Sequence, residues 1–375
     1  MKTTPSISTL ISRRRFVGQL SVGAAAVSFS LRSRAQSAAA PKKLGVAIVG
    51  LGSYARGQIG PALKVTENCQ LVGVVTGSPE KGKQWAGQYG FPEKNIWNYE
   101  TMAQIADNKD IDIVYVITPN SMHAEEVITA AKAGKHVISE KPFTTNVADA
   151  ERAIAACKAA KVKLSIGYRL HFDPVQQEFM RLAKDPGFGP FTKMNGEFSF
   201  VMPAKVWRAE KKWAGGGPVM DLGVYVFQEA CMAAGGVPPI AVSAKAAPTT
   251  KPEIFADVEQ TMNWTMEFPG GAVCEATASY SQSANRFRAE SASGNWVEFK
   301  NNAFMYRGVR AETNRGPLTF PQVNQQAKQM DDFAQCVREG RESRVAGEMG
   351  LRDLKIIEAI YASAAAEGKR TLVRT

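Results

Sequence analysis

Leu44-Gly45-Val46-Ala47-Ile48-Val49-Gly50-Leu51-Gly52-Ser53-Tyr54-Ala55 is the stretch that decides how this chain folds. Leu44 to Val49 is an unbroken apolar run, the pattern of a strand buried on both faces. G-x-G-x-x-A follows at once, and then a helical stretch to about Lys64. In that setting Gly50 permits the tight turn, and Gly52 lets the main chain approach a pyrophosphate. The small Ala55 packs helix on strand, and the helix N-terminus faces the anion. Ser53 and Tyr54 lie inside the motif and join the cofactor-binding candidates. Without its flanking strand and helix the motif would be a plain glycine turn.

Outward from this unit the alternation continues. Gln70–Val75, Asp112–Ile117 and Lys135–Ser139 read as strands, and Tyr99–Ala106 and Ala124–Ala133 as helices. Strands alternating with helices give a doubly wound parallel sheet, with the cofactor outside the strands' carboxyl ends. Thr118-Pro119-Asn120-Ser121-Met122-His123 and Glu140-Lys141-Pro142 stand there. The tip after Val75 reads Thr76-Gly77-Ser78-Pro79-Glu80-Lys81, with no acid at the tip to bond a ribose 2′-hydroxyl. Thr76, Ser78 and Lys81 suit a 2′-phosphate, so the expected cofactor is NADP rather than NAD; the alternative is a solvated turn whose lysine points outward.

The 375 residues suffice for two domains, and no apolar run reaches the roughly 18 residues of a membrane span. The formal charge of +11 suggests nucleic acid until it is located. Residues 1–35 carry Lys2, Arg13, Arg14, Arg15, Arg32 and Arg34 and no acid; without these six, 40 basic groups face 35 acidic ones. With no basic helix downstream, no nucleic-acid partner is expected. Ser12-Arg13-Arg14-Arg15-Phe16-Val17, an apolar stretch to Leu31 and Ser33-Arg34-Ala35 resemble a twin-arginine export signal. Cleavage after Ala35 leaves a short arm, 36–43, no membrane anchor and a periplasmic protein. That route carries proteins already folded around a cofactor. Five widely spaced cysteines without a Cys-x-x-Cys pair read as buried apolar residues, and no metal site is expected.

Further landmarks are Ala133-Gly134-Lys135-His136-Val137, Gly167-Tyr168-Arg169, Trp207-Arg208, Gly215-Gly216-Gly217, Asp221-Leu222-Gly223-Val224-Tyr225 and Gly347-Glu348-Met349-Gly350-Leu351-Arg352-Asp353. With the glycine turn and Glu140-Lys141-Pro142, these resemble the Gfo/Idh/MocA oxidoreductases from about Leu44 to the C-terminus. The export signal, Gly167–Pro174 and a tyrosine rather than histidine at 225 are most similar to the glucose-fructose oxidoreductase branch. The resemblance implies a Rossmann domain over 44–166 and an α+β domain over 167–375, built on an open, mainly antiparallel sheet. Strand-like runs at Phe191–Phe200, Ile240–Ala247, Phe255–Phe268 and Ala272–Tyr280 support it, with Pro269-Gly270-Gly271 as a hairpin turn. Helices are expected from Gly217 to Ala234, Gln325 to Arg338 and Gly350 to Ala366. In the family such a sheet commonly joins subunits, so a homo-oligomer, dimer or tetramer, is implied.

The resemblance also assigns roles. Lys141 at the strand end would bond a substrate oxygen and stabilise a developing alkoxide. Asp221 and Tyr225, four apart on one helix face, follow a glycine run that lets the helix terminus approach a ligand. A tyrosine titrating near 10 is a poor base until a cation such as Lys141 stands beside it. Tyr225 is then the proton acceptor, Lys141 its partner, and Asp221 a ligand for sugar hydroxyls. Outside the family pattern these read as a surface lysine, a first-turn acid complementing the helix dipole and a core aromatic. Cofactor contacts are implied for Tyr99, Pro119, Asn120, His123, Glu140, Lys141, Arg169, Trp207 and Arg208. Trp207 alone is equally a structural strand-edge tryptophan, and His171 equally a pocket-facing or a core histidine.

The implied activity is oxidation of an aldose at C1 to its lactone, with NADP recycled in place on a second sugar. Its rivals are an exported NAD(P)-dependent glycosidase and an ordinary polyol dehydrogenase. The glucose-fructose oxidoreductases carry a long proline-rich arm over the cofactor; 36–43 is far shorter.

Overall fold

The computed structural model describes residues 42–374, so the export signal read in 1–35 and most of the short arm lie outside the described residues. The first sheet has six parallel strands: β1 (Leu44–Val49), β2 (Cys69–Val75), β3 (Ile96–Trp97), β4 (Ile113–Val116), β5 (His136–Ser139) and β6 (Leu164–Ile166). Their order is β3-β2-β1-β4-β5-β6. The order reverses between β1 and β4, and there a doubly wound sheet opens a crevice at its carboxyl edge. The apolar run of β1 is explained by its two covered faces. Val46 and Ile48 enter one core with Trp85 of the helix Pro79–Tyr89, and Ala47 and Val49 enter the other with Val127 of the helix His123–Lys132. The stretch expected as a helix at Tyr99–Ala106 forms only a 3₁₀ turn, Met102–Asp107.

The second sheet has nine strands: β7 (Phe191–Ser199), β8 (Ala241–Ala246), β9 (Thr261–Glu267), β10 (Val273–Ser279), β11 (Ala284–Ser291), β12 (Trp296–Phe299), β13 (Ala311–Thr313), β14 (Gly316–Leu318) and β15 (Thr371–Leu372). Only β7 and β10 run parallel; every other neighbouring pair is antiparallel. Pro269–Gly271 turns β9 into β10, with Gly270 and Gly271 at φ 80 and 85°, where glycine is favoured. The run expected as a strand from Phe255 becomes one only at Thr261. Phe255 and Val258 bury their side chains from a loop instead.

Two late helices return to the first sheet. In Gln325–Glu339, Met330 and Phe333 share the core of Val46 and Ile48, and the Asp331 carboxylate accepts from Glu67 N (3.1 Å) and Asn68 N (2.7 Å). Gly347–Ala365 lies against β6: a Cβ at Gly347 would stand 2.6 Å from Leu164, and one at Gly350 2.7 Å from Phe143. The glycines of that landmark admit close packing between the two halves of the chain.

Candidate active site

At the crevice the glycine turn does two things. Gly50 sits at φ 94°, and a Cβ there would lie 2.9 Å from Thr118 Cγ2 and 3.0 Å from the Ile117 carbonyl, so the tips of β1 and β4 meet over it. A Cβ at Gly52 would meet nothing within 4 Å. The main chain is bare on that side, with exposed Ser53 next to it. That surface fits a dinucleotide pyrophosphate. At the tip of β2, buried Thr76 accepts from Ser78 N (3.2 Å), and Ser78 caps the helix Pro79–Tyr89 by accepting from Lys81 N (3.4 Å). Both hydroxyls shape the turn, and Lys81 is exposed. Tyr99 packs on this tip, its ring 3.4 Å from where a Cβ on Gly77 would be.

Beside the crevice lies a cleft of about 530 Å³ lined by Tyr54, Asn120, His123, Glu140, Lys141, Arg169, Trp207, Arg208, Asp221 and Tyr225. His123 ties its two loops together. Its Nε2 faces the Thr118 carbonyl (2.9 Å), and its Nδ1 faces those of Pro142 (3.1 Å) and Phe143 (3.2 Å). Burial lowers its pKa, against the carbonyl contacts, which raise it. Pro119 leads into the turn Asn120–Met122, from which Asn120 donates to the Ala214 carbonyl (2.9 Å). Glu140 accepts from Tyr115 Oη (2.8 Å) and Lys141 N (3.2 Å), and burial raises its pKa.

Lys141 Nζ donates to the Asp221 carbonyl (2.8 Å) and to Oδ1 (3.3 Å), and stands 4.7 Å from the centroid of the Tyr225 ring. Asp221 Oδ2 pairs with Arg208 Nε (3.3 Å) and accepts from Tyr280 Oη (3.2 Å). Burial alone would raise the Asp221 pKa; Arg208 and then Lys141 outweigh it and hold the carboxylate below its usual range. A π turn, Val219–Gly223, runs into the helix Val224–Ala233, and both Asp221 and Tyr225 face the cleft from this segment. The Tyr225 ring packs on Phe198 (5.4 Å) and Phe304 (5.9 Å). The Arg208 guanidinium stacks on Trp207 at 4.4 Å.

The glycine run before the helix admits protein, not ligand: a Cβ at Gly216 would stand 2.0 Å from Tyr361 Oη, and one at Gly217 2.2 Å from the Glu259 carbonyl. Glu259 there accepts from Gly217 N (3.0 Å), Val219 N (3.1 Å) and Tyr361 Oη (2.9 Å). His171 is a core histidine, 3.0 Å from Gln228 Oε1 and with its pKa pushed down by burial to about 4. Phe304 and Tyr306, which also line the cleft, and Tyr280 and Gln325, which bond its Asp221 and Arg169 from behind, have no motif around them and become visible only through long-range packing.

A glycine cradle at a Rossmann switch point, opening on a cleft that gathers a lysine, a carboxylate and a phenol, defines a dinucleotide-dependent oxidoreductase. The sequence matches two family models: the oxidoreductase family with an NAD-binding Rossmann fold over residues 44–168, and the GFO/IDH/MocA C-terminal domain over 177–296. The chain belongs to the GFO/IDH/MocA oxidoreductases. It is 41% identical to the aldose-aldose oxidoreductase of Caulobacter crescentus, whose structure with glycerol superposes with a TM-score of 0.84 over 88% of this chain and 100% of that one. It is 26% identical to the NADP(+)-dependent D-xylose 1-dehydrogenase of Haloarcula marismortui over 93% of this chain and 98% of that protein. A levoglucosan dehydrogenase solved with NADH and levoglucosan shares the fold, with a TM-score of 0.75 at 20% identity over 89% of this chain and all of that one.

Proposed function

We propose that this protein is an exported, NADP-dependent aldose oxidoreductase that oxidises one sugar at C1 to its lactone and reduces a second sugar in the same cleft. The observation that carries the reading is the convergence of Lys141, Asp221 and Tyr225 beside the open glycine cradle. Held at the turn of Gly50 and Gly52, a nicotinamide dinucleotide would supply hydride-transfer chemistry between the two sugars. The chain's own residues handle the proton and the oxygen. Tyr225 accepts the C1 hydroxyl proton in the oxidation and returns it to the carbonyl oxygen in the reduction. The Lys141 ammonium, fixed by Asp221, stabilises negative charge developing on that oxygen. Asp221, held ionised by two cations, binds neighbouring sugar hydroxyls. An aldose-aldose oxidoreductase with 41% identity and an NADP(+)-dependent xylose dehydrogenase among the relatives support the choice of sugar and cofactor. The twin-arginine-like start supports export. Outside the cytoplasm no free dinucleotide pool is expected, which favours recycling on a second sugar.

The test is turnover by the purified protein without added cofactor, together with mass spectrometry of what it carries. The reading expects bound NADP(H), and lactone and polyol in equal amounts only when a second sugar is present. Oxidation that needs stoichiometric free NADP, unaffected by a second sugar, would make it an ordinary dehydrogenase. Hydrolysis of glycosides with free aldoses untouched would make it a glycosidase.

A further inference from the structure

The two cations beside Tyr225 differ in how their charge is spent. Lys141 is paired, its ammonium 3.3 Å from Asp221 Oδ1 and 2.8 Å from the carbonyl of the same residue. Arg169, 2% exposed, has no carboxylate partner among the described residues. Its Nη1 donates to the Met305 carbonyl (2.8 Å) and to Gln325 Oε1 (2.5 Å), and its Nη2 to the Phe304 carbonyl (2.6 Å). All three acceptors are neutral, and its Nε is buried with no partner. The guanidinium lies between two phenol rings, 4.3 Å from the centroid of Tyr306 and 5.1 Å from that of Tyr225. Gln325 is itself fixed by donating to Asp173 Oδ2 (2.8 Å).

Burying a guanidinium among neutral acceptors is unfavourable unless something uses the charge. The other groups around Tyr225 use it only in part: Asp221 is taken by Lys141 and Arg208, and for Glu140, Tyr54 and Tyr306 burial outweighs the lowering influence of Arg169 and leaves their pKa values raised. We propose that Arg169 is a positioning residue for proton transfer: its locked, unpaired charge stabilises the oxyanion of Tyr225, and it does not bind the cofactor. This rests on the reading of Tyr225 as proton acceptor.

The experiment compares Arg169→Gln, Arg169→Lys and Tyr225→Phe with the wild type as purified holoprotein, measuring bound cofactor, kcat, KM and the pH profile of aldose oxidation. Without the neighbouring cation the phenol gives up its proton less readily, so activity should begin at higher pH. Arg169→Gln should lower kcat about 100-fold, leave KM and bound cofactor nearly unchanged, and move the low-pH limb up by about one unit. Arg169→Lys keeps the charge and should keep the limb in place. An Arg169→Gln profile superimposable on the wild type, or loss of bound cofactor, overturns the proposal. If that variant does not fold, Arg169→Lys decides: a limb at the wild-type position with cofactor retained supports the charge role, and a shifted limb or lost cofactor overturns it. Full activity in Tyr225→Phe would instead overturn the reading of Tyr225, whatever the Arg169 variants do.

Discussion

Lys141 grips Asp221 twice, through the carbonyl at 2.8 Å and through Oδ1 at 3.3 Å, so the end of β5 and the π turn of the second domain are joined at the cleft. Asp221 keeps Arg208 and Tyr280 when Lys141 is removed, so its carboxylate is not stranded. Lys141→Ala should therefore fold and retain cofactor while kcat falls at least about 100-fold. Lys141→Arg should not rescue, because a planar fork cannot reproduce the point contact. Steady-state kinetics alongside the cofactor content of the purified variant check both; activity within a few-fold of wild type would remove Lys141 from the chemistry.

Gly167 is small because Glu140 lies over it. A Cβ at 167 would stand 2.7 Å from the Glu140 carboxyl carbon, and that carboxyl is held by Tyr115 Oη and Lys141 N. Gly167→Ala should destabilise the fold by about 1–3 kcal/mol, and it should lower activity further because Glu140 adjoins Lys141. Thermal melting checks the first part. An unchanged midpoint would mean that the carboxyl swings aside freely.

What could be read in the sequence follows from how local each signal is. The buried run Leu44–Val49 is the observed β1, residue for residue, because a two-faced strand needs only its own apolar side chains to be visible. Phe191–Phe200 and Ala272–Tyr280 contain β7 and β10 for the same reason. Phe255 looks like strand and is loop, since burial without ladder pairing leaves the same apolar signature. Glycine was the ambiguous residue: at 52 it leaves space open, whereas at 216 and 217 it is filled by Tyr361 and Glu259. Tyr280 reaches Asp221 from 59 residues beyond it, and Tyr306 reaches the cleft from 81 residues beyond Tyr225, separations no local pattern spans.

At the tip of β2, Thr76 is buried and its hydroxyl accepts from Ser78 N at 3.2 Å. Thr76→Asp would place a carboxylate where the 2′-phosphate is expected and should shift preference from NADP towards NAD. Ser78→Ala removes the cap of the helix Pro79–Tyr89 and should lower stability by about 1 kcal/mol. Cofactor exchange monitored by fluorescence, with NAD and NADP in competition, checks the first; an unchanged preference would sink the assignment of this tip.

Glu229 gives the protein a pH-dependent stability. It lies on the helix Val224–Ala233 with zero exposure, neither carboxylate oxygen has a hydrogen-bond partner, and burial raises its pKa to about 8. Glu126 in the first domain is similarly raised to about 8 by burial, with Oε1 unpartnered. Because each folded pKa lies above the unfolded one, the native state holds protons that the unfolded chain has already lost between about pH 4 and 8. The contribution is complete below that window and is lost as pH rises through it, at roughly 1 kcal/mol per pH unit for each group. Above about pH 8 both states are ionised and the slope ends. Glu229→Gln should remove that residue's share, so that the variant declines less steeply than the wild type across the window, and Glu126→Gln should remove a similar share. Urea unfolding midpoints from pH 5 to 9 measure this directly. A Glu229→Gln variant that declines as steeply as the wild type would show that Glu229 is ionised in the fold.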